Sequence, residues 1–233
     1  MIIGGIQKSS FIDYPSKISC VIFTIGCNFE CPYCHNPDLI KRSPNDLMID
    51  PKEVFAFLKK RRPLLDGLVI TGGEPTLQND LFDFCEQIKT LGYPVKLDTN
   101  GTRPKIIKKL VKKKLIDYIA MDIKTAPDRY SPDITKTYKA DDICDSIQFI
   151  KKSGLPHEFR TTCVKSIVDK DAIHAIASLI SGADLYALQK VNIKNVTVLH
   201  PQYFKTHEWY YDTQTMEKLR AIASKFVKNT IIR

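Results

Sequence analysis

Ile18-Ser19-Cys20-Val21-Ile22-Phe23-Thr24-Ile25 runs straight into Gly26-Cys27-Asn28-Phe29-Glu30-Cys31-Pro32-Tyr33-Cys34-His35-Asn36-Pro37, and the join between these two stretches sets the architecture. The first stretch is a continuous apolar run, as expected of a strand buried on both faces. The second holds three thiols in the spacing C-x-x-x-C-x-x-C at Cys27, Cys31 and Cys34. A cubane iron-sulfur cluster needs thiolates converging from one tight loop, and three ligands leave one iron open to bind something else. Zinc held by the three cysteines and His35 is an alternative. However, structural zinc sites pair two short hooks separated by a longer stretch, and His35 directly follows Cys34, which strains tetrahedral closure. A disulfide framework fits worse. The chain has seven cysteines, and Cys20, Cys85, Cys144 and Cys163 fall singly inside apolar segments, as core thiols do.

Outward from this join, short apolar runs alternate with amphipathic stretches. Ile18 to Ile25, Leu68 to Thr71, Val95 to Leu97, Tyr118 to Ile123, Phe159 to Val164 and Leu185 to Val191 read as buried strands. Helical patterns lie between them. Asp50-Pro51-Lys52-Glu53 has an N-cap carboxylate, proline at the first helical position and a glutamate three residues on. Leu81, Phe84, Cys85, Ile88 and Leu91 follow helical spacing up to Gly92, and Ile143, Ile147 and Ile150 do so up to Gly154. Six such alternations predict a parallel sheet wrapped by helices through right-handed crossovers, with the chemistry at the C-terminal ends of the strands.

Polar clusters stand at those ends. The second strand runs into Gly72-Gly73-Glu74-Pro75, where glycines allow close backbone approach and a glutamate can accept from an ammonium group. Taken alone, the string is compatible with a simple turn. The third strand ends Asp98-Thr99-Asn100-Gly101 and the fourth Met121-Asp122-Ile123-Lys124. Alternation along a strand puts Asp122 and Lys124 on one face, either as a plain salt bridge or as a carboxylate and an ammonium aimed together at a ligand.

The cysteine loop, with an aromatic residue before its last cysteine, resembles the radical S-adenosylmethionine (SAM) superfamily. That resemblance implies a partial (β/α)6 barrel of parallel strands, one 4Fe-4S cluster on Cys27, Cys31 and Cys34, and SAM chelated to the open iron. Gly72-Gly73-Glu74 resembles the motif that receives the SAM amino group, and Tyr33 and His35 belong to the cofactor-facing loop. The D-T-N-G and D-x-K strand ends are similar to those of glycyl-radical-enzyme activating enzymes. By that resemblance Lys124 pairs with the SAM carboxylate. Asp98, Thr99 and Asp122, with Asn100 beside them, line the ribose side or hold a monovalent cation, and Arg160 adds a polar contact from the fifth strand. Ser10-Phe11-Ile12-Asp13-Tyr14-Pro15 and Cys34-His35-Asn36-Pro37-Asp38-Leu39 resemble the anaerobic ribonucleoside-triphosphate reductase activating proteins, over a span from Gly4 to Thr162 with Leu188-Gln189 besides. Ser16 departs from a glycine common after the Tyr-Pro step. Beyond Val191 the resemblance thins, and His200, His207 and Trp209 match no motif.

The implied reaction is reductive cleavage of SAM to a 5'-deoxyadenosyl radical that removes a glycine hydrogen from a partner glycyl radical enzyme. Two alternatives remain open on the residues: a radical SAM enzyme acting on a small molecule or nucleobase, such as a deazapurine synthase, and a non-catalytic iron-sulfur or zinc binding module.

The chain of 233 residues, 43% hydrophobic, reads as a single domain with an irregular extension from about residue 192. No targeting segment or membrane-spanning run is visible, and a reducing cytoplasm suits free thiols meant for iron. Much of the net charge of +9 comes from Lys105, Lys108, Lys109, Lys112, Lys113 and Lys114 around an apolar helical stripe. This is a solvated helix face or a docking surface for an acidic electron donor such as flavodoxin or ferredoxin. Without interleaved stacking aromatics, it is a poor nucleic-acid surface.

Overall fold

The computed structural model describes residues 1–40, 48–136, 140–193 and 196–233, which fall into two compact units. The first comprises Met1–Asn28, Asp38–Thr99 and Lys105–Ile119. It begins with an antiparallel hairpin of β1 (Ile3–Tyr14) and β2 (Lys17–Thr24), Ile3 standing opposite Thr24 and Tyr14 opposite Lys17. At the hairpin turn Ser16 has φ 59. A glycine adopts that left-handed conformation freely, which accounts for the residue Ser16 replaces.

From β2 onward the pairing is parallel. Thr24 is in register with Gly72 of β3 (Gly67–Gly72), and Ile70 of β3 with Leu97 of β4 (Val95–Thr99). The crossovers are α1 (Pro51–Arg61) and α2 (Leu81–Thr90). Asp50 caps α1 as expected, its side chain accepting from the N–H of Lys52 at 2.8 Å, and the helix buries Val54 and Leu58. Helix α2 buries Leu81, Phe84, Cys85 and Ile88 and ends before Gly92, at φ 81. Ser19 to Ile22 of β2 and Leu68 to Ile70 of β3 are buried, and Tyr14, Val21 and Val69 pack together with the partly buried Phe23 and Tyr118 against them. Each such buried side chain contributes roughly 1.5–3 kcal/mol.

The lysine-rich stretch forms α3 (Pro104–Lys112), with Ile107 and Leu110 inside. Two of its basic neighbours are engaged locally. Lys109 lies over the Phe82 ring at 4.6 Å, and Lys113 is 3.2 Å from Glu86.

The second unit comprises Phe29–Pro37, Asn100–Pro104 and Ala120–Arg233. It takes the last three residues of β5 (Tyr118–Asp122). Then follow α4 (Ala140–Lys152), β6 (His157–Cys163), α5 (Lys170–Leu179), β7 (Leu185–Lys190), α6 (Tyr203–Thr206), α7 (Thr213–Ala223) and β8 (Asn229–Ile232). Strands β6, β7 and β8 are parallel, Phe159 being opposite Tyr186 and Leu185 opposite Asn229. The end of β5 lies beside β6, since Ile123 N–H donates to the Arg160 carbonyl at 2.8 Å.

All six expected strands are present, within a residue or two of their expected bounds, and the fold is an open, mostly parallel α/β sheet. Two strands were not expected. Strand β1 carries a mixed pattern with exposed Phe11 and Ile12, because only part of it is covered. Strand β8 is short, and of its four residues Thr230 alone is buried.

Candidate functional site

In the first unit, the end of β3 meets the start of the cysteine loop. A Cβ on Gly72 would lie 2.4 Å from the Thr24 nitrogen, and one on Gly73 2.1 Å from the Gly26 carbonyl oxygen. Hydrogen bonds fasten the same approach. Gly73 N–H donates to Thr24 at 2.8 Å, Glu74 N–H to Gly26 at 2.7 Å, Gly26 N–H to Leu39 at 2.7 Å and Cys27 N–H to Ile40 at 3.0 Å. The bare faces of both glycines are therefore filled by neighbouring backbone. Their first role is to let the chain that leads into Cys27 lie directly on the glycine turn.

Glu74 is buried, and its Oε1 accepts from Thr76 N–H at 3.1 Å, Thr76 Oγ1 at 2.5 Å and Thr99 Oγ1 at 2.7 Å. Donors from two elements thus hold the carboxylate in a single orientation. Thr99, expected along the ribose side, belongs to this brace. Asp98 has a partner that sequence reading missed: Lys96 Nζ donates to its Oδ1 at 2.5 Å. Only 2% of the Lys96 side chain and 11% of that of Asp98 are exposed, and the Tyr118 ring lies 5.9 Å from the ammonium. The signal was available, since Lys96 and Asp98 are two apart on a strand and share a face.

In the second unit, Cys34 N–H donates to the Cys31 carbonyl at 2.9 Å, closing the loop into a tight turn. Cys31 is buried, and burial pushes its thiol up to about 11, against a downward pull from Lys124. The Tyr33 hydroxyl is buried and finds no hydrogen-bond partner of good geometry among the described residues, although it influences the ionisation of Cys31. Burial raises the Tyr33 phenol well above its usual range. A buried polar atom in this state suits a bound group that completes its contacts.

Next to these residues, Asp122 accepts from Lys124 Nζ at 2.8 Å and from Arg160 Nε at 2.6 Å. Burial alone would raise the Asp122 carboxyl, but Arg160 and then Lys124 outweigh it and hold the group well below the carboxylate range. Burial likewise disfavours the Lys124 ammonium, and Asp122 reverses this, raising its pKa. The three side chains are 13% to 23% exposed and carry one net positive charge. Tyr130, also missed, accepts from the Lys124 N–H at 3.0 Å and packs edge-on against Phe29 at 5.6 Å.

Two further expected residues make local contacts. Asn100 Oδ1 accepts from Thr102 N–H at 3.1 Å and Thr102 Oγ1 at 2.7 Å, shaping a turn. His35 Nε2–H donates to the Asn192 carbonyl at 2.8 Å. The segment after β7 also reaches the loop through its backbone, as Leu199 N–H donates to the Cys34 carbonyl and His200 N–H to that of Pro32, each at 3.1 Å. A groove of about 640 Å³ lies further along this segment, lined by Lys165, Phe204, His207, Trp209 and Tyr210 among others. A second, of about 460 Å³, lies over Phe55, Lys59 and Leu91. Neither is lined by an expected site residue.

Among the described residues, no three His, Cys, Asp or Glu side chains already stand as a metal-holding cluster, and no helix is long and apolar enough to cross a membrane.

Comparison with known proteins shows the family. The sequence profile of the Radical SAM superfamily matches residues 21–179, and the chain belongs to that superfamily of enzymes. It is 37% identical over 237 residues to a proposed glycyl-radical enzyme activating enzyme of Methanocaldococcus jannaschii, covering 100% of this chain and 95% of that one. It is 28% identical over 186 residues to the pyruvate formate-lyase-activating enzyme of Clostridium pasteurianum, covering 77% and 76% of the two chains. Among solved structures, Streptococcus suis SuiB bound to the precursor peptide SuiA superimposes with a TM-score of 0.70 at 14% identity, over 91% of this chain and 48% of that one. The chain thus spans about half the length of SuiB, and the likeness is one of fold, the partial barrel of radical SAM enzymes. Membership implies a 4Fe-4S cluster and SAM, and the buried Cys31 sulfur, the Tyr33 hydroxyl and the net positive charge at Lys124 and Arg160 fit that pair chemically.

Proposed function

We propose that this chain, acting as one radical SAM domain in the cytoplasm, activates a glycyl radical enzyme, and that its partner is an anaerobic ribonucleoside-triphosphate reductase. The observation that carries the reading is the Cys31 thiol beside the Asp122, Lys124 and Arg160 group. A sulfur ligand for iron and a net positive charge for a carboxylate belong to one set of interacting side chains. The relative described as a glycyl-radical enzyme activating enzyme supports the class of partner, and the choice of the reductase rests on the motifs around Tyr14 and His35 alone.

Cys27, Cys31 and Cys34 hold the cluster, with electrons supplied by a flavodoxin or ferredoxin. When bound, the cluster would supply the electron that splits SAM into methionine and a 5'-deoxyadenosyl radical, the species needed to remove a glycine Cα hydrogen from the partner and leave 5'-deoxyadenosine and a glycyl radical. Glu74, held by Thr76 and Thr99, accepts the SAM ammonium, and Gly72 and Gly73 set its backbone. Lys124, steered by Asp122, pairs with the SAM carboxylate, and Arg160 keeps Asp122 ionised so that Lys124 stays directed. Tyr33, His35, Asp98 and Asn100 are assigned to the cofactor side by the resemblance alone. No acid or base is required, so the work of these residues is orientation and exclusion of water.

The test is anaerobic reconstitution with iron and sulfide, followed by SAM, reductant and the candidate reductase. A glycyl radical signal in the reductase together with 5'-deoxyadenosine is the expected outcome. Deoxyadenosine without that signal would mean another target.

A further inference from the structure

The resemblance attaches a monovalent cation to Asp98, Thr99 and Asp122, and the residues present do not fit one. We propose that Lys96 is the built-in cation of this chain, its ammonium occupying the place on Asp98 that a free monovalent ion would take. The inference deepens the proposed function, on which it rests for the purpose of that place. Lys96 is fully covered and meets Asp98 Oδ1 at 2.5 Å, closer than a loosely held surface pair. Its second electrostatic contact is the Tyr118 ring, whose face favours a cation. The Thr99 hydroxyl donates its proton to Glu74 Oε1 at 2.7 Å and so is oriented by the carboxylate.

Asp122 is likewise supplied, since Lys124 and Arg160 meet its two oxygens at 2.8 and 2.6 Å. Around Asp98 the charges of the pair sum to zero, and around Asp122 they sum to plus one. An arriving potassium or sodium ion would meet like charge at either carboxylate and would have to displace an amine on a buried stem. A tethered ammonium has the same charge as the ion, cannot diffuse away and does not depend on salt composition.

The experiment uses the full chain without cluster or SAM, so its outcome is independent of whether SAM is cleaved. Thallium(I) NMR serves as the direct probe of potassium-like binding, and thermal unfolding is compared in KCl, NaCl and choline chloride at one ionic strength. The wild type is expected to bind no stoichiometric thallium and to unfold at the same temperature in all three salts. One saturable thallium site, or a potassium-specific rise in the wild type, would overturn the proposal. Lys96→Met is expected to acquire a potassium-specific rise of about 3 °C or more. Should Lys96→Met fold only in KCl, that too supports the assignment. If it responds to no cation, or folds in none of the salts while Lys96→Met/Asp98→Asn folds normally, Asp98 needs a countercharge that no free cation can supply there, and the idea that Lys96 fills an ion's place is lost.

Discussion

Two lysine–aspartate pairs of the same construction, Lys96 with Asp98 on β4 and Lys124 with Asp122 at the end of β5, reach opposite conditions. Each is two residues apart on a strand or its immediate extension, so each pair shares a face. The first is sealed, with side-chain exposures of 2% and 11%. The second stays open at 16% and 23% and gains Arg160, which leaves a positive charge beyond the needs of the carboxylate. The spacing dictates the pairing, whereas the neighbours dictate whether the pair is a finished structural element or a handle for a ligand.

The sharpest way to break this contrast goes through Cys31, which interacts electrostatically with the open group. Cys31→Ala is expected to abolish 5'-deoxyadenosine formation entirely, while Cys163→Ala, at a buried core thiol, leaves reductive cleavage standing. Turnover surviving in Cys31→Ala would remove the cysteine loop from the chemistry. Next in size, Lys96→Ala strands a buried carboxylate, and urea unfolding should show a loss of about 3 kcal/mol. If the loss is no larger than for an exposed pair, the sealed pair has been misread.

Lys124→Ala leaves Asp122 paired with Arg160, so folding should fall by only about 1 kcal/mol. SAM binding to the reconstituted enzyme, by contrast, should weaken about tenfold. An unchanged SAM affinity would put the carboxylate elsewhere.

The smallest effect belongs to a third, exposed pair. Asp169 caps α5 by accepting from Ala172 N–H at 2.8 Å and also accepts from Arg129 at 2.9 and 3.0 Å. Burial nudges its carboxyl upward, but Ala172 and Arg129 hold it below the usual range. Its folded pKa is depressed, so its contribution is present above the unfolded carboxyl value near 4 and fades as pH falls below it. Asp169→Ala should cost about 1 kcal/mol at neutral pH and progressively less in acid. A cost independent of pH would mean that the carboxylate charge is not what stabilises the helix.

Much of the architecture was legible because buried parallel strands announce themselves as unbroken apolar runs, and β2 through β7 were found that way. Strand β1 was not, since exposed Phe11 and Ile12 and the polar residues around them obscure any period. In the site, Asp122, Lys124 and Arg160 were foreseen as polar contacts, and they meet. Lys96 escaped notice because one lysine in a strand reads as a solvated side chain until its carboxylate partner is placed. Gly72 and Gly73 were recognised, but their tight packing against Thr24 and Gly26 is a fact of backbone proximity that composition does not encode. The same holds for Tyr130, whose hydroxyl serves a main-chain N–H.

The two backbone bonds from Leu199 and His200 to the cysteine loop have a consequence for how the chain is divided. The family-wide stretch stops at residue 179, yet carbonyls of Pro32 and Cys34 inside it rest on residues twenty positions later. Inheritance and mechanics therefore draw different borders. A fragment trimmed to the shared stretch would keep the cysteine loop, the glycine turn and the strand-end motifs through Arg160, and lose the tether that steadies the loop carrying two of its three sulfurs.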